Sequence, residues 1–196
     1  MAHLPYPSET EQPYFLAINR FIKKKNISTI ITAYSEYHQN HPSRAWDLIL
    51  CGDGELRPQI ETQIRELNLS QHIHLPGFLQ PNELLSYFAH ASCFIHASIQ
   101  EQWGLVVNEA MAAGLPVIVS RCCGCFDELV IEEVNGFGFD GNQPSELANL
   151  MLRISSPNFD IGKMKLASLE HISQFGPSFF AEGLHKAVQY ALIQKV

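Results

Sequence analysis

Short apolar stretches recur through the chain, each followed by a longer segment of helical character. "YFLAIN" (14–19), "WDLILCG" (46–52), "HIHLPGF" (72–78), "SCFIHAS" (92–98), "PVIVS" (116–120) and "GFGFD" (136–140) have strand length. Several are apolar at odd and even positions alike, the mark of strands covered on both faces. The segments between them, about 27–40, 55–68, 81–91, 105–113 and 125–132, read as helices. This alternation specifies an α/β fold, a Rossmann-like doubly wound parallel sheet of about six strands. After residue 140 the pattern turns to helices alone, at 144–155, 160–174 and 177–194, which should pack on the sheet's flank or reach outward. Residues 1–12, with Pro5 and Pro7, are expected to form a loose lead-in. Residues 13–196 are expected to form a single domain whose C-terminus is helical from about 143.

A length of 196 residues supplies one full core and is short for two large domains. The formal charge of −7, with 13 Lys and Arg, argues against a general nucleic-acid binder, which needs a basic surface. No apolar run reaches the length of a membrane span, and "MAHLPYPSET" lacks the charged start and apolar stretch of a signal peptide. Cys51, Cys93, Cys122, Cys123 and Cys125 are odd in number and lie mostly in apolar segments, which suggests reduced thiols. A cytoplasmic location is expected.

Open parallel sheets bind ligands at the C-terminal ends of their strands, so the loops after each strand are where function is sought. After the first strand, "NRFIKKKNIS" (19–28) gathers Arg20, Lys23, Lys24 and Lys25 beside a helix start, in a chain that is otherwise acidic. "GDGELR" (52–57) lacks the third glycine of a dinucleotide fingerprint, Arg57 standing in its place, so Gly52 and Gly54 are read as turn residues. The loop "LPGFLQP" (75–81) offers backbone groups and an apolar wall. Histidines 72, 74 and 96 have no acid or serine at a recognisable spacing and are assigned structural roles. "RCCGC" (121–125) has no second half of a zinc motif, so no metal ligands are assigned.

The most informative stretch is "EQWGLVVNEAMAAGLPVIVS" (101–120). Its helix should begin near Gly104 or Leu105, where no side-chain oxygen is available as a cap, leaving bare amides that favour an anion such as a diphosphate. Glu109 falls about one turn in, inside a nearly apolar run, and is expected to be buried and to need a strong partner. Glu101 lies eight positions upstream. Two carboxylates flanking an anion cradle suit a ligand with vicinal hydroxyls on both sides of a phosphate, the layout of a nucleoside diphosphate sugar.

These residues resemble the E-x7-E motif of retaining glycosyltransferases of GT-B architecture, family 4 or group 1. "NRFIKKKNISTIITAY", "LILCGDGELRPQIETQIRELNL", "IHLPGFLQPNELLSYFAHASCFIHAS" and "EEVNGFGFDGNQPSELANLM" follow that family's C-terminal, donor-binding domain in order, over roughly residues 14–155. The resemblance implies that Arg20 and Lys25 neutralise the diphosphate and that Glu101 binds donor-sugar hydroxyls, with the amides of Gln102 and Trp103 nearby. It implies that Gly104, Leu105 and Val106 hold phosphate through their amides, that Glu109 binds the ribose diol, and that Phe78 and Leu79 contact the base. Gly124 is implied beside the donor sugar. The reaction implied is metal-independent hexosyl transfer with retention, UDP-hexose favoured over GDP-mannose, in polysaccharide or glycolipid synthesis. Gln102 replaces the family's usual proline, which should loosen the loop slightly. An N-terminal acceptor-binding domain is missing from the sequence, so the isolated chain is expected to be inactive until that half is supplied by the same enzyme or a separate subunit. Peripheral membrane association would come through that half. The alternative is a non-catalytic module that binds nucleotide sugar or recruits a partner.

Overall fold

A computed structural model describes residues 4–41 and 44–193; residues 1–3 of the expected lead-in and residue 194 of the expected last helix lie outside this range. Six parallel strands, β1 (Tyr14–Ile18), β2 (Asp47–Cys51), β3 (Ile73–Gly77), β4 (Cys93–His96), β5 (Val117–Ser120) and β6 (Gly136–Phe139), form one sheet in the order β3-β2-β1-β4-β5-β6. This is the doubly wound order, and the chain reverses direction across the sheet between β1 and β4. A crevice opens at that point because the connections leaving β1 and β4 run to opposite sides.

Successive residues of each central strand enter different cores, as two-sided strands require. In β1, Phe15 and Ala17 join the core under α1 (Ile27–Asn40) and α6 (Pro144–Ile154), while Tyr14 and Leu16 join the one under α3 (Pro81–His90) and α4 (Leu105–Ala112). Leu48 and Leu50 of β2 likewise separate from Ile49 and Cys51. The remaining helices are α2 (Arg57–Glu66), the short α5 (Phe126–Leu129), α7 (Ile161–Ile172) and α8 (Pro177–Ile193). The helix expected over 125–132 is thus a single turn.

Of the C-terminal helices, α6 packs on α1 and α7 packs on α4, covering the sheet's flanks. Helix α8 instead runs outward, with Phe179, Phe180, Leu184, Val188 and Tyr190 all exposed. The lead-in, expected to be loose, is tied to α3 along residues 4–9. Tyr6 stacks on His90 with ring centroids 3.8 Å apart, His90 Nε2 lies 2.9 Å from the Leu4 carbonyl, and the Tyr87 hydroxyl donates to Glu9 at 2.8 Å.

Candidate functional site

The loops after β1 and β2 are stitched together where they leave the sheet. Asn19 N–H donates to the Cys51 carbonyl at 3.0 Å and Phe21 N–H to that of Asp53 at 2.8 Å. Gly52 and Gly54 allow this approach: both have positive φ, and a Cβ on Gly52 would sit 1.8 Å from the Asn19 carbonyl oxygen. The glycines therefore pack backbone on backbone, and the loop they tighten presents Arg20 to solvent at the sheet's C-terminal edge. Lys23–Lys25 form a 3-10 turn closed by Asn26 in the left-handed region. Asn26 anchors it, its Nδ2 donating to the Gly141 carbonyl at 2.7 Å.

The loop after β4 is held from the other side. Glu101 makes an isolated parallel bridge with Cys123; Gly124 N–H donates to the Glu101 carbonyl at 3.0 Å and Cys125 N–H to that of Trp103 at 3.2 Å. A Cβ on Gly124 would lie 2.0 Å from the Gln102 carbonyl oxygen, so this turn accepts no side chain without a shift. Gly104 follows at φ 107° and α4 starts with no side-chain cap. Val107 N–H reaches back to the Gly104 carbonyl at 2.8 Å, while among the described residues the amides of Leu105 and Val106 meet no acceptor. These are the orphan donors of a helix start, aligned with its positive dipole end.

The two loops and the β3 loop bound a cleft of about 540 Å³. The expected cations Arg20 and Lys25, both acids Glu101 and Glu109, and the loop segments Phe78–Leu79 and Gln102–Val106 all line it. Lys24 lines it too, whereas Lys23 does not. Phe78 is 72% exposed at the rim, a free aromatic face over the cleft. Arg20 is exposed and, among the described residues, no carboxylate lies within ion-pair distance of it.

The acids differ from each other and, in one case, from expectation. Glu101 is half-buried and its Oε2 receives the Lys25 ammonium and the Ser98 hydroxyl, the latter at 3.3 Å. Burial opposes its ionisation, but Lys25, His96 and Ser98 together outweigh that and hold the carboxyl below its ordinary range. Glu109 is neither buried nor partnered, contrary to its reading from the apolar run. Helix α4 turns Val107, Ala110 and Met111 into the core and leaves Glu109 on the face that opens to the cleft. The cleft walls still remove enough water to push its carboxyl pKa up.

Two side chains that the sequence did not single out as ligand groups also stand here. His96, completely buried at the end of β4, lies with Nε2 3.6 Å from Glu101 Oε2, and among the described residues both its ring nitrogens lack a hydrogen-bond partner. Asn19 lines the cleft, 7% exposed, with both polar side-chain atoms likewise unpartnered. In contrast, His72 and His74 pair with Asp47 at the opposite, N-terminal end of β2, far from the site, in keeping with a structural role. The thiols of Cys123 and Cys125 are buried and pushed up to about 12 and about 11 by desolvation. No cluster of three or more metal-ligating side chains occurs among the described residues.

The cleft thus lies at the switch point of the sheet, with the uncapped helix start between Glu101 and Glu109. The family model for glycosyl transferases group 1 matches residues 4–164. The chain belongs to that family. It is 32% identical over 139 residues to the alpha-monoglucosyldiacylglycerol synthase of Acholeplasma laidlawii, a match that takes in 71% of this chain and 34% of the relative. Among solved structures, the Anabaena protein HepE in complex with UDP superposes with a TM-score of 0.80 at 22% identity, covering 93% of this chain and 50% of that one. The pneumococcal O-GlcNAc transferase GtfA, in complex with UDP and GlcNAc, superposes at 0.78 with 21% identity over 96% of this chain and 38% of its own. The chain thus has the Rossmann-like fold of GT-B glycosyltransferases and spans about a third to a half of the relatives it matches.

Proposed function

We propose that this chain is the donor-binding half of a retaining glycosyltransferase and holds a nucleoside diphosphate sugar across the start of α4. The observation that carries the reading is the bare helix start between Glu101 and Glu109, with the uncompensated Arg20 facing it across the same cleft. The diphosphate takes the amides of Gly104, Leu105 and Val106 and the cations of Arg20 and Lys25. On one side, Glu109 accepts hydrogen bonds from the ribose diol, and Phe78 and Leu79 wall the base. On the other, Glu101 accepts from the sugar, beside the amides of Gln102 and Trp103.

As the bond between the anomeric carbon and the β-phosphate oxygen breaks, negative charge grows on that phosphate. Preorganised amides and cations stabilise it without reorganising at the moment of reaction, and on this reading they need no metal. The acceptor hydroxyl then attacks from the face the phosphate leaves, giving its proton to the departing β-phosphate oxygen, with retention. UDP-hexose is the favoured donor and GDP-mannose the second; both structural neighbours named above were solved with UDP. The acceptor belongs to polysaccharide or glycolipid synthesis, in line with the glycolipid synthase among the relatives. An acceptor-binding N-terminal domain completes the site, working in the cytoplasm and, through that half, at the inner membrane face. No helix among the described residues is long and apolar enough to cross a membrane.

A non-catalytic nucleotide-sugar sensor is the second reading, favoured by one feature: in the free protein Lys25 and Glu101 neutralise each other. Calorimetric titration with UDP and GDP, beside Arg20→Ala, tests donor binding. One diphosphate should bind and the variant should bind it roughly 10-fold more weakly, the value of a charge-assisted contact. Absence of binding by either nucleotide at millimolar concentration to the folded chain contradicts both readings. Adding an acceptor-binding half separates them, because transfer should then appear for the enzyme and not for the sensor.

A further inference from the structure

Glu101 Oε2 is the meeting point of three side chains: the Lys25 ammonium bonded to it, the Ser98 hydroxyl at 3.3 Å and His96 Nε2 at 3.6 Å. Ser98 cannot hold the carboxylate alone, since its single proton is shared with the Lys24 carbonyl at 3.1 Å. If Lys25 is to serve a diphosphate, Glu101 loses its ionic partner while its side chain is only 15% exposed, a costly state for a carboxylate. The buried imidazole with no partner is the group placed to replace it.

We propose that His96 is a positioning residue for Glu101: when a bound diphosphate draws the Lys25 ammonium away, His96 takes one proton from solvent and its Nε2–H becomes the donor that holds the Glu101 carboxylate in place. The inference rests on the donor-binding reading above. The exchange is balanced in charge, one ammonium leaving Glu101 and one proton arriving on the imidazole, with no covalent bond made or broken.

The surroundings of His96 favour such an exchange. Its ring stacks on Phe94, with planes 13° apart and centroids 6.4 Å apart, which fixes its orientation. Gly104 leaves room at Nε2: a Cβ there would lie 3.5 Å from His96 Nε2, Glu101 Cγ and Cys125 Sγ alike. The titratable groups that face this corner are Lys25 from the turn after β1, Glu101 from its own loop, and the thiols of Cys123 and Cys125 from the turn after β5. The thiols stay protonated at neutral pH, so the balance lies among burial, Lys25 and Glu101. In the free protein burial first, then the Lys25 cation, push His96 down to about 4 against the pull of Glu101, and the ring is neutral. Removing the cation leaves a carboxylate next to the ring, which favours the imidazolium.

The test is calorimetric titration of the full chain at pH 6.5 with UDP-glucose and, in parallel, GDP-mannose, whose diphosphate diesters hold no proton near neutrality. Repeating it in buffers of different ionisation enthalpy counts the protons exchanged. Wild type should take up between about half a proton and one proton per donor bound. His96→Gln, which can still donate to Glu101 but cannot titrate, should bind with no uptake. Binding by wild type without uptake, or the same uptake in both proteins, overturns the proposal while leaving the donor site intact. Failure of both sugars to bind wild type overturns the donor-site reading and this inference with it. An independent readout needs no ligand: NMR titration of the His96 ring in the free protein should show its midpoint rise from about 4 to about 6.5 or above in Lys25→Met. An unchanged midpoint overturns the exchange.

Discussion

Glu101 and Glu109 sit eight residues apart on either side of one helix start, yet the fold treats them oppositely. Glu101 is held by Lys25 and Ser98 with its pKa depressed, so its charge already stabilises the free protein. Glu109 faces open cleft with no partner and its pKa raised, so its charge is a small liability to the free protein. A group that costs stability and touches nothing is kept for something outside the chain. A group that stabilises the fold has to be released before it can do anything else. On the proposed donor site, Glu109 would be a preformed ligand contact and Glu101 a guarded one.

The largest expected effect lies in binding. Glu109→Ala should weaken UDP about 10- to 100-fold, the worth of a charge-assisted hydrogen-bond pair to a diol. Equal weakening in Glu101→Gln would break the contrast, because Glu101 is assigned to the transferred hexose, which UDP lacks.

Stability comes next. Glu101→Gln should lower unfolding free energy by about 1–2 kcal/mol at pH 7. A depressed carboxyl pKa contributes stability that is present above the unfolded value and lost as pH falls through the folded one, so the difference should fade in urea unfolding near pH 3. Freed of its partner, Lys25 in this variant should also bind UDP up to about fivefold more tightly, the scale of a partly exposed ion pair.

Smallest is the stability effect of Glu109→Gln. Its raised pKa means stability is present below the unfolded value and lost as pH rises through the folded one, so the variant should be more stable at pH 7 and unchanged near pH 3. The gain should be about 0.3 kcal/mol, limited by the exposure of the group. A loss of stability at pH 7 would show that Glu109 has a partner in the free protein.

What the sequence disclosed and what it hid divide along the same line. Two-sided strands such as Phe15–Ala17 against Tyr14–Leu16 were legible because a strand buried on both faces has no polar alternation to interpret. The uncapped start at Gly104 was legible because capping depends on residue type over a few positions. The exposure of Glu109 was not, since the apolar run counts Leu105 as core while the structure leaves it 69% exposed on the cleft wall. Nor was the Lys25–Glu101 pair, whose partners are 76 residues apart and meet because β1 and β4 are adjacent at the switch point. His96 was set aside for want of a nearby acid, yet Glu101, five residues on, folds back over it. That signal lay in the spacing between the end of β4 and the first acid, and it becomes visible once both loops are known to rim one cleft.

The proposed role of the helix start between the two acids is to receive a diphosphate. The most direct measurement is an amide NMR titration with UDP, following Gly104, Leu105 and Val106. The largest shifts should fall on these three amides and saturate together with those of the Arg20 loop. Shifts concentrated elsewhere, with these amides unmoved at saturation, would contradict it.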